Sequence, residues 1–224
     1  EAMKAHWWKA LGVVLVLYTI IFGFLGSVPR LPILNETIRV LYFHVTMWFA
    51  MIILMIASLS YSIGYLRDNS PFRDLKAKEA ALTGMFLATL GLVTGSLWAR
   101  FTWGAFWVND PKLNGTAVTM LIYLAYFILR GSVEDPQKKA RLAAVYNIFA
   151  FVMMIVFIGI LPRMTDSLHP GNGGNPGFSG YDLNSDMRMV FYPAVIGWTL
   201  MGVWIMNIKV RYTKLTWKLN EQLD

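Results

Sequence analysis

The chain has 224 residues, 56% of them hydrophobic and 15% charged, with a mean hydropathy of +0.49; a soluble domain carries about 25% charged residues. This balance points to a membrane protein. Cysteine is absent, which excludes disulfide scaffolds, zinc fingers, thiol redox chemistry and cysteine nucleophiles. The net charge of +7 raises nucleic acid as a partner, but the basic residues form no stripe on a soluble scaffold, so no nucleic acid is expected.

A bilayer core about 30 Å thick takes about 20 apolar residues per helix. In chain order the uncharged runs are 11–28, 40–66, 80–98, 116–129 (a helix of about 116–133), 142–161 and 189–208. The expected fold is therefore all-α: a polytopic integral membrane protein, one domain over 1–224, built as a bundle of six transmembrane helices. The first run follows Lys4 and Lys9 as a signal peptide would, but no small-x-small cleavage site follows it, and it reads as a retained anchor. The fourth is the weakest in apolar residues; it reaches length through Gly131–Val133 and a snorkelling Arg130.

Arg30, Arg39, Arg100, Lys112, Arg163 and Arg188 fall in or beside the connections at 29–39, 99–115 and 162–188, and the remaining Lys and Arg fall on the opposite side. Basic residues are retained in the cytoplasm. Both termini are thus expected to be cytoplasmic, in the inner (plasma) membrane, with those three loops on the periplasmic side. No Gly-x-x-x-x-Gly-Lys-Ser/Thr loop occurs, so nucleotide hydrolysis by that route is not expected here.

The loop 99–115 is dense in aromatics, with Phe101, Trp103, Phe106 and Trp107 before Asp110. If it is helical up to Asp110, then Trp103, Trp107 and Asp110 share one face, a flat apolar platform with one acid. The same residues also fit an aromatic belt at headgroup depth.

Two of the three histidines map outward. His44 stands near the start of helix two, and His169 precedes the glycine-rich stretch 171–177 in the loop 162–188. An ionisable residue inside a span is a site hypothesis by default. Two neutral imidazoles meeting a planar iron macrocycle from opposite faces would give bis-histidine ligation of haem. The alternative is one histidine hydrogen-bonded within the bundle and one solvated in the loop. Arg39, at the mouth of helix two, suits a haem propionate by its bidentate fork, or simply marks the helix end.

These residues resemble the CcmC/CcsA group, haem-handling proteins of cytochrome c maturation whose signature is Trp-Gly-x-Trp-Trp-x-Trp-Asp in an outward loop flanked by histidines. The chain has Trp103-Gly104-Ala105-Phe106-Trp107-Val108-Asn109-Asp110, keeping Trp103, Gly104, Trp107 and Asp110 and departing at Phe106 and Asn109. The contexts of His44 and His169, the helix plan and the length agree along the chain. The resemblance implies non-covalent haem b held at the outer face, with His44 and His169 as axial ligands and Trp103, Gly104, Phe106, Trp107 and Asp110 as platform or partner loop. It implies presentation of haem to a periplasmic-side haem chaperone. It also implies association with the ATP-binding and multispanning subunits of a haem-release complex and a small single-helix subunit.

Two other classes remain. A transporter moving haem or another small solute through the bundle needs polar residues at mid-depth, where only mild ones such as Ser58, Thr83, Asn147 and Thr199 occur. A non-haem docking or scaffold subunit would use the aromatic loop to bind a protein. No nucleophile, base and orienting acid can be placed together, so the chain is not expected to be an enzyme.

Overall fold

The computed structural model describes residues 2–169 and 183–220, and it is helical throughout apart from short connections. The helices are α1 (Ala2–Leu25), α2 (Leu41–Asp68), α3 (Pro71–Thr102), α4 (Pro111–Ser132), α5 (Pro136–Met154), α6 (Leu161–Met164) and α7 (Ser185–Asn220). A 3₁₀ segment, Asn35–Val40, leads into α2, and a π-helical turn, Ile155–Ile160, joins α5 to α6. Six stretches are long and apolar enough to cross a membrane: His6–Leu25, Asn35–Asp68, Pro71–Thr102, Pro111–Ser132, Pro136–Met164 and Ser185–Asn220.

The helices outrun the apolar stretches that mark them, because a helix does not stop where its side chains become polar. Three begin alike, with an extended residue followed by proline: Ser70-Pro71, Asp110-Pro111 and Asp135-Pro136. Proline disfavours helical geometry in the residue before it, and its missing N–H costs nothing at the first helical position. Asp135 caps α5 by accepting from the Lys138 N–H at 2.6 Å. Asp110 caps α4, which starts at Pro111 rather than near 116 and is thereby a full 22-residue span. At the other kind of end, Asn69 takes a left-handed φ of 52° and its N–H bonds the Tyr65 carbonyl, so α2 turns into α3 within two residues.

Helix α2 is central, packed on α3, α5 and α7. Lipid offers helices no hydrophobic drive to associate, so close contact depends on small residues. A ladder on α3 meets a ladder of large side chains on α2. A Cβ on Gly84 would lie 2.8 Å from Met55, one on Gly91 2.8 Å from Trp48, and one on Gly95 would collide with His44. Gly12 against Leu200 and Gly197 against Leu15 and Val16 draw α1 and α7 together in the same way. Gly115 of α4 sits against the Phe157 carbonyl in the π-helical turn, so backbone meets backbone there.

Several polar groups inside the bundle find partners, while Tyr123 Oη, Asn147 Oδ1, Trp198 Nε1 and Thr199 Oγ1 are buried without one among the described residues. Asn147 donates to Ser58 and Ser62, each at 2.8 Å, and Ser58 donates to the Ala77 carbonyl at 2.7 Å. Arg130 does not snorkel outward. It reaches across to α3 and pairs with Asp74 through two hydrogen bonds of 2.6 and 2.7 Å, both side chains largely buried. This ion pair ties the end of α4 to the start of α3, at the end of the bundle opposite the histidines.

Candidate functional site

The first turns of α2 and α4 and the last turns of α1, α3 and α6 gather at one end of the bundle. Arg39 closes the corner between α1 and α2. Its Nη1 donates to the Gly23 and Gly26 carbonyls at 3.1 and 2.6 Å, and its Nε and Nη2 each lie 2.7 Å from Glu36 Oε2. Most of the guanidinium fork expected to take a propionate is thus engaged within the chain, satisfying the bare carbonyls at the end of α1.

His44 stands one turn into α2, facing α3. The absent side chain of Gly95 makes room for it, and Trp48 and Trp98 pack edge-on to its ring with centroids 6.2 and 6.0 Å away. Its Nδ1 lies 2.8 Å from the Gly91 carbonyl oxygen. A carbonyl can only accept, so Nδ1 carries the proton and the lone pair of the neutral ring is on Nε2. Trp98 is itself fixed, donating from Nε1 to Thr37 Oγ1 at 3.0 Å.

His169 arrives from the loop after α6 and is held the same way by a different acceptor. Its Nδ1 lies 2.9 Å from Asp110 Oδ1, and the Trp103 ring packs edge-on at a centroid distance of 4.8 Å and an interplanar angle of 73°. An ionised carboxylate accepts only, so here too Nδ1 donates, and in the neutral ring Nε2 keeps the lone pair.

Asp110 is the hub. Its carboxylate accepts from the Lys112 and Leu113 N–H groups at 2.9 and 3.4 Å, capping α4. It also accepts from Ser167 Oγ at 2.8 Å and the Leu168 N–H at 2.7 Å. Only 1% of the residue is exposed. Burial opposes its ionisation, but the hydrogen bonds from His169, Ser167 and Leu168 and the nearby imidazole outweigh that and hold the carboxyl well below the usual range.

The platform differs from the sequence expectation. Residues 103–110 are not helical, and Trp103, Trp107 and Asp110 do not lie along one helix face. Helix α3 ends at Thr102, where the Trp103 N–H bonds the Ala99 carbonyl and Gly104 turns the chain with a φ of +83°. Arg100 clamps the turn by donating to the Gly104 carbonyl at 2.7 Å, and Pro111 keeps Asp110 extended. Trp103 and Asp110 turn in toward His169, while Phe106 and Trp107 stay 58% and 42% exposed. Asn109, which departs from the signature, accepts from Asn114 Nδ2 at 2.8 Å, and Asn114 Oδ1 accepts from Trp107 Nε1 at 3.3 Å.

The sequence did not single out Gly91, Gly95, Trp98 or Ser167 as site residues. The spacing Gly91-x-x-x-Gly95 in the span that follows the one with the histidine was the available signal for the two glycines. Ser167 was legible only as the residue two before His169, whose N–H it accepts at 3.1 Å. The glycine-rich stretch 171–177 lies outside the described residues. Among the described residues, no group of three or more His, Asp and Glu could hold a bare metal ion, and neither histidine Nε2 has a protein partner.

Fold and site together define a multispanning helical membrane protein whose one end carries two anchored imidazoles beside exposed aromatic rings. The family described as "Heme exporter protein C" matches residues 2–223, and the chain belongs to that family. It is similar to heme exporter protein C of Bradyrhizobium diazoefficiens, 36% identical over 115 residues that cover 51% of this chain and 43% of that protein. It is also similar to heme exporter protein C of Rhodobacter capsulatus, 28% identical over 74% of this chain and 68% of the relative. A cytochrome c biogenesis protein CcsA of Prochlorococcus marinus is 36% identical over 42% of this chain and 29% of the relative. The chain thus aligns with less than half of the Bradyrhizobium protein.

Proposed function

We propose that this end of the bundle binds haem non-covalently and presents it during cytochrome c maturation, with His44 and His169 as axial ligands of the iron. The observation that carries this reading is the shared state of the two rings. Each has its Nδ1 proton committed to a fixed acceptor, the Gly91 carbonyl or the Asp110 carboxylate, and each neutral ring keeps an Nε2 lone pair without a partner among the described residues. Metal-bound histidine is oriented by this kind of hydrogen bond from its other nitrogen. The donor set therefore fits haem iron.

Trp103 holds the His169 ring from the side, while Phe106 and Trp107 supply apolar surface for the macrocycle edge or a partner. Haem bound here is cargo, and the chain's part is to hold and orient it. Asp110 fixes the His169 tautomer and the loop that carries it. Arg39 braces α1 against α2 so that His44 keeps its place. The names of the relatives, heme exporter protein C and cytochrome c biogenesis protein CcsA, support the same reading. On it, the loops at this end face the periplasm, both termini are cytoplasmic, a haem chaperone receives the cargo, and ATP-binding, multispanning and single-helix subunits complete the complex.

The test is the ultraviolet–visible spectrum of the detergent-purified chain, oxidised and reduced, beside His44→Ala and His169→Ala. A Soret band with six-coordinate features that collapses in either variant is expected. Undiminished six-coordinate haem in both variants overturns the ligand assignment. A haem-free wild type from haem-replete cells favours a docking subunit instead.

A further inference from the structure

At the opposite end of the bundle a second site is built between α1 and α7. Gly12 and Gly197 let the two helices touch along their lengths, with a Gly12 Cβ position only 3.1 Å from Leu200 Cβ. Nearer the end, Trp8 and Trp204 stand on the two helices in place of these small residues. Between the helices there is a cavity of about 90 Å³ lined by His6, Trp8 and Lys9 from α1 and Trp204, Asn207, Ile208 and Arg211 from α7. Lys9 is placed between the two indoles, its Nζ 5.7 Å from the Trp8 ring and 5.3 Å from the Trp204 ring. Cation–π contact fixes the charge without neutralising it.

The lining has two cations, an imidazole and an amide, and no carboxylate. We propose that this cleft binds the phosphate group of an anionic phospholipid. Lys9 and Arg211 provide the charge, and Asn207 and His6 provide further donors. The source is a lipid because the cleft stands where Lys9 gives way to the uncharged run that begins at Leu11, with tryptophans at the depth they prefer in membranes. Ile208 in the cleft wall is 54% exposed and Val14, further along α1, is 60% exposed, which leaves apolar side chains for an acyl chain. Basic pockets between helices at such a boundary recognise acidic headgroups.

The test is native mass spectrometry of the full chain in detergent, titrated with phosphatidylglycerol or phosphatidylcholine. The wild type is expected to retain phosphatidylglycerol in preference, and Lys9→Gln/Arg211→Gln to retain about tenfold less of it. Arg67→Gln/Lys218→Gln removes the same charge from exposed positions elsewhere and is expected to leave retention unchanged. Equal loss in the two double variants means diffuse surface charge and overturns the site, as does an unaltered Lys9→Gln/Arg211→Gln. The charge-preserving Lys9→Arg/Arg211→Lys is expected to keep binding, which separates lost recognition from a damaged fold. Displacement of the lipid by millimolar inorganic phosphate, sensitive to the same variants, confirms phosphate recognition but overturns lipid as its source.

Discussion

Asp110 Oδ1 and His169 Nδ1 lie 2.9 Å apart across 59 residues of sequence, and this contact joins the cap of α4 to the loop that carries the second histidine. One carboxylate both starts a helix and orients an imidazole, so the position of His169 is tied to the rigid bundle rather than to its own loop.

Replacing Asp110 therefore acts on two things at once. Asp110→Ala removes the cap and leaves the Ser167, Leu168 and His169 donors unmatched, at a cost of about 1–3 kcal/mol for each buried group stranded. The spans stay inserted, because their apolar length is unchanged, while haem retained on purification falls toward the level of His169→Ala. Asp110→Asn keeps an acceptor but loses the charge, and an intermediate haem content is expected.

The pH dependence has a definite sign. Asp110 is depressed below its ordinary value of 3.8, so its carboxylate contributes stability that is fully present above that value and is lost as pH falls through the lower folded value. The Asp110 clamp is expected to hold unchanged from pH 8 down to about pH 4 and to weaken only below that. Hydrogen exchange at the Leu168 amide, followed across this range, reads it directly; a transition near neutrality traced to Asp110 would contradict the assignment.

Gly95→Ala tests the seat of His44 without changing the proposed ligand itself. The new Cβ would meet the imidazole, with Nδ1 only 2.9 Å away and Cε1 closer still. Helix α3 tolerates alanine well, so the protein is expected to express and span the membrane. Its Soret band is expected to weaken or shift to a five-coordinate form. An unchanged spectrum would mean that His44 is free to move aside while remaining a ligand.

Trp103→Ala and Trp103→Phe separate ring packing from bulk. The edge-on contact with His169 is worth about 0.5–1.5 kcal/mol, and phenylalanine keeps most of it. Haem content is expected to fall several-fold in the alanine variant and little in the phenylalanine variant, with equal protein levels in the membrane by immunoblot. Equal haem in both variants would separate Trp103 from the hold on His169.

Arg130→Met strands Asp74 in the bundle and is expected to destabilise the protein by about 3–5 kcal/mol, whereas Arg130→Met/Asp74→Leu recovers much of the loss. Thermal unfolding in detergent measures both. The haem spectrum of the double variant is expected to match that of the wild type, since the pair sits at the other end of the molecule.

Composition and the placement of apolar runs were sufficient for an all-helical, six-span chain, because burial in lipid constrains every residue of a span and leaves a signal as long as the span itself. His44, His169 and the Trp103–Asp110 segment were also legible, as ionisable and aromatic residues standing where the chain would otherwise be apolar or bland. The roles within that segment were not. Its course turns on Gly104 at positive φ and Pro111 behind Asp110, and a helical reading of the spacing cannot foresee which way a turn aims each ring. Nor could spacing pair Asp110 with His169, Arg130 with Asp74, or Gly95 with His44, because each contact joins helices whose relative rotation is set by packing between them. Sequence thus determines which segments enter the membrane, a property summed locally along the chain, while the packing of helix against helix determines which polar groups meet.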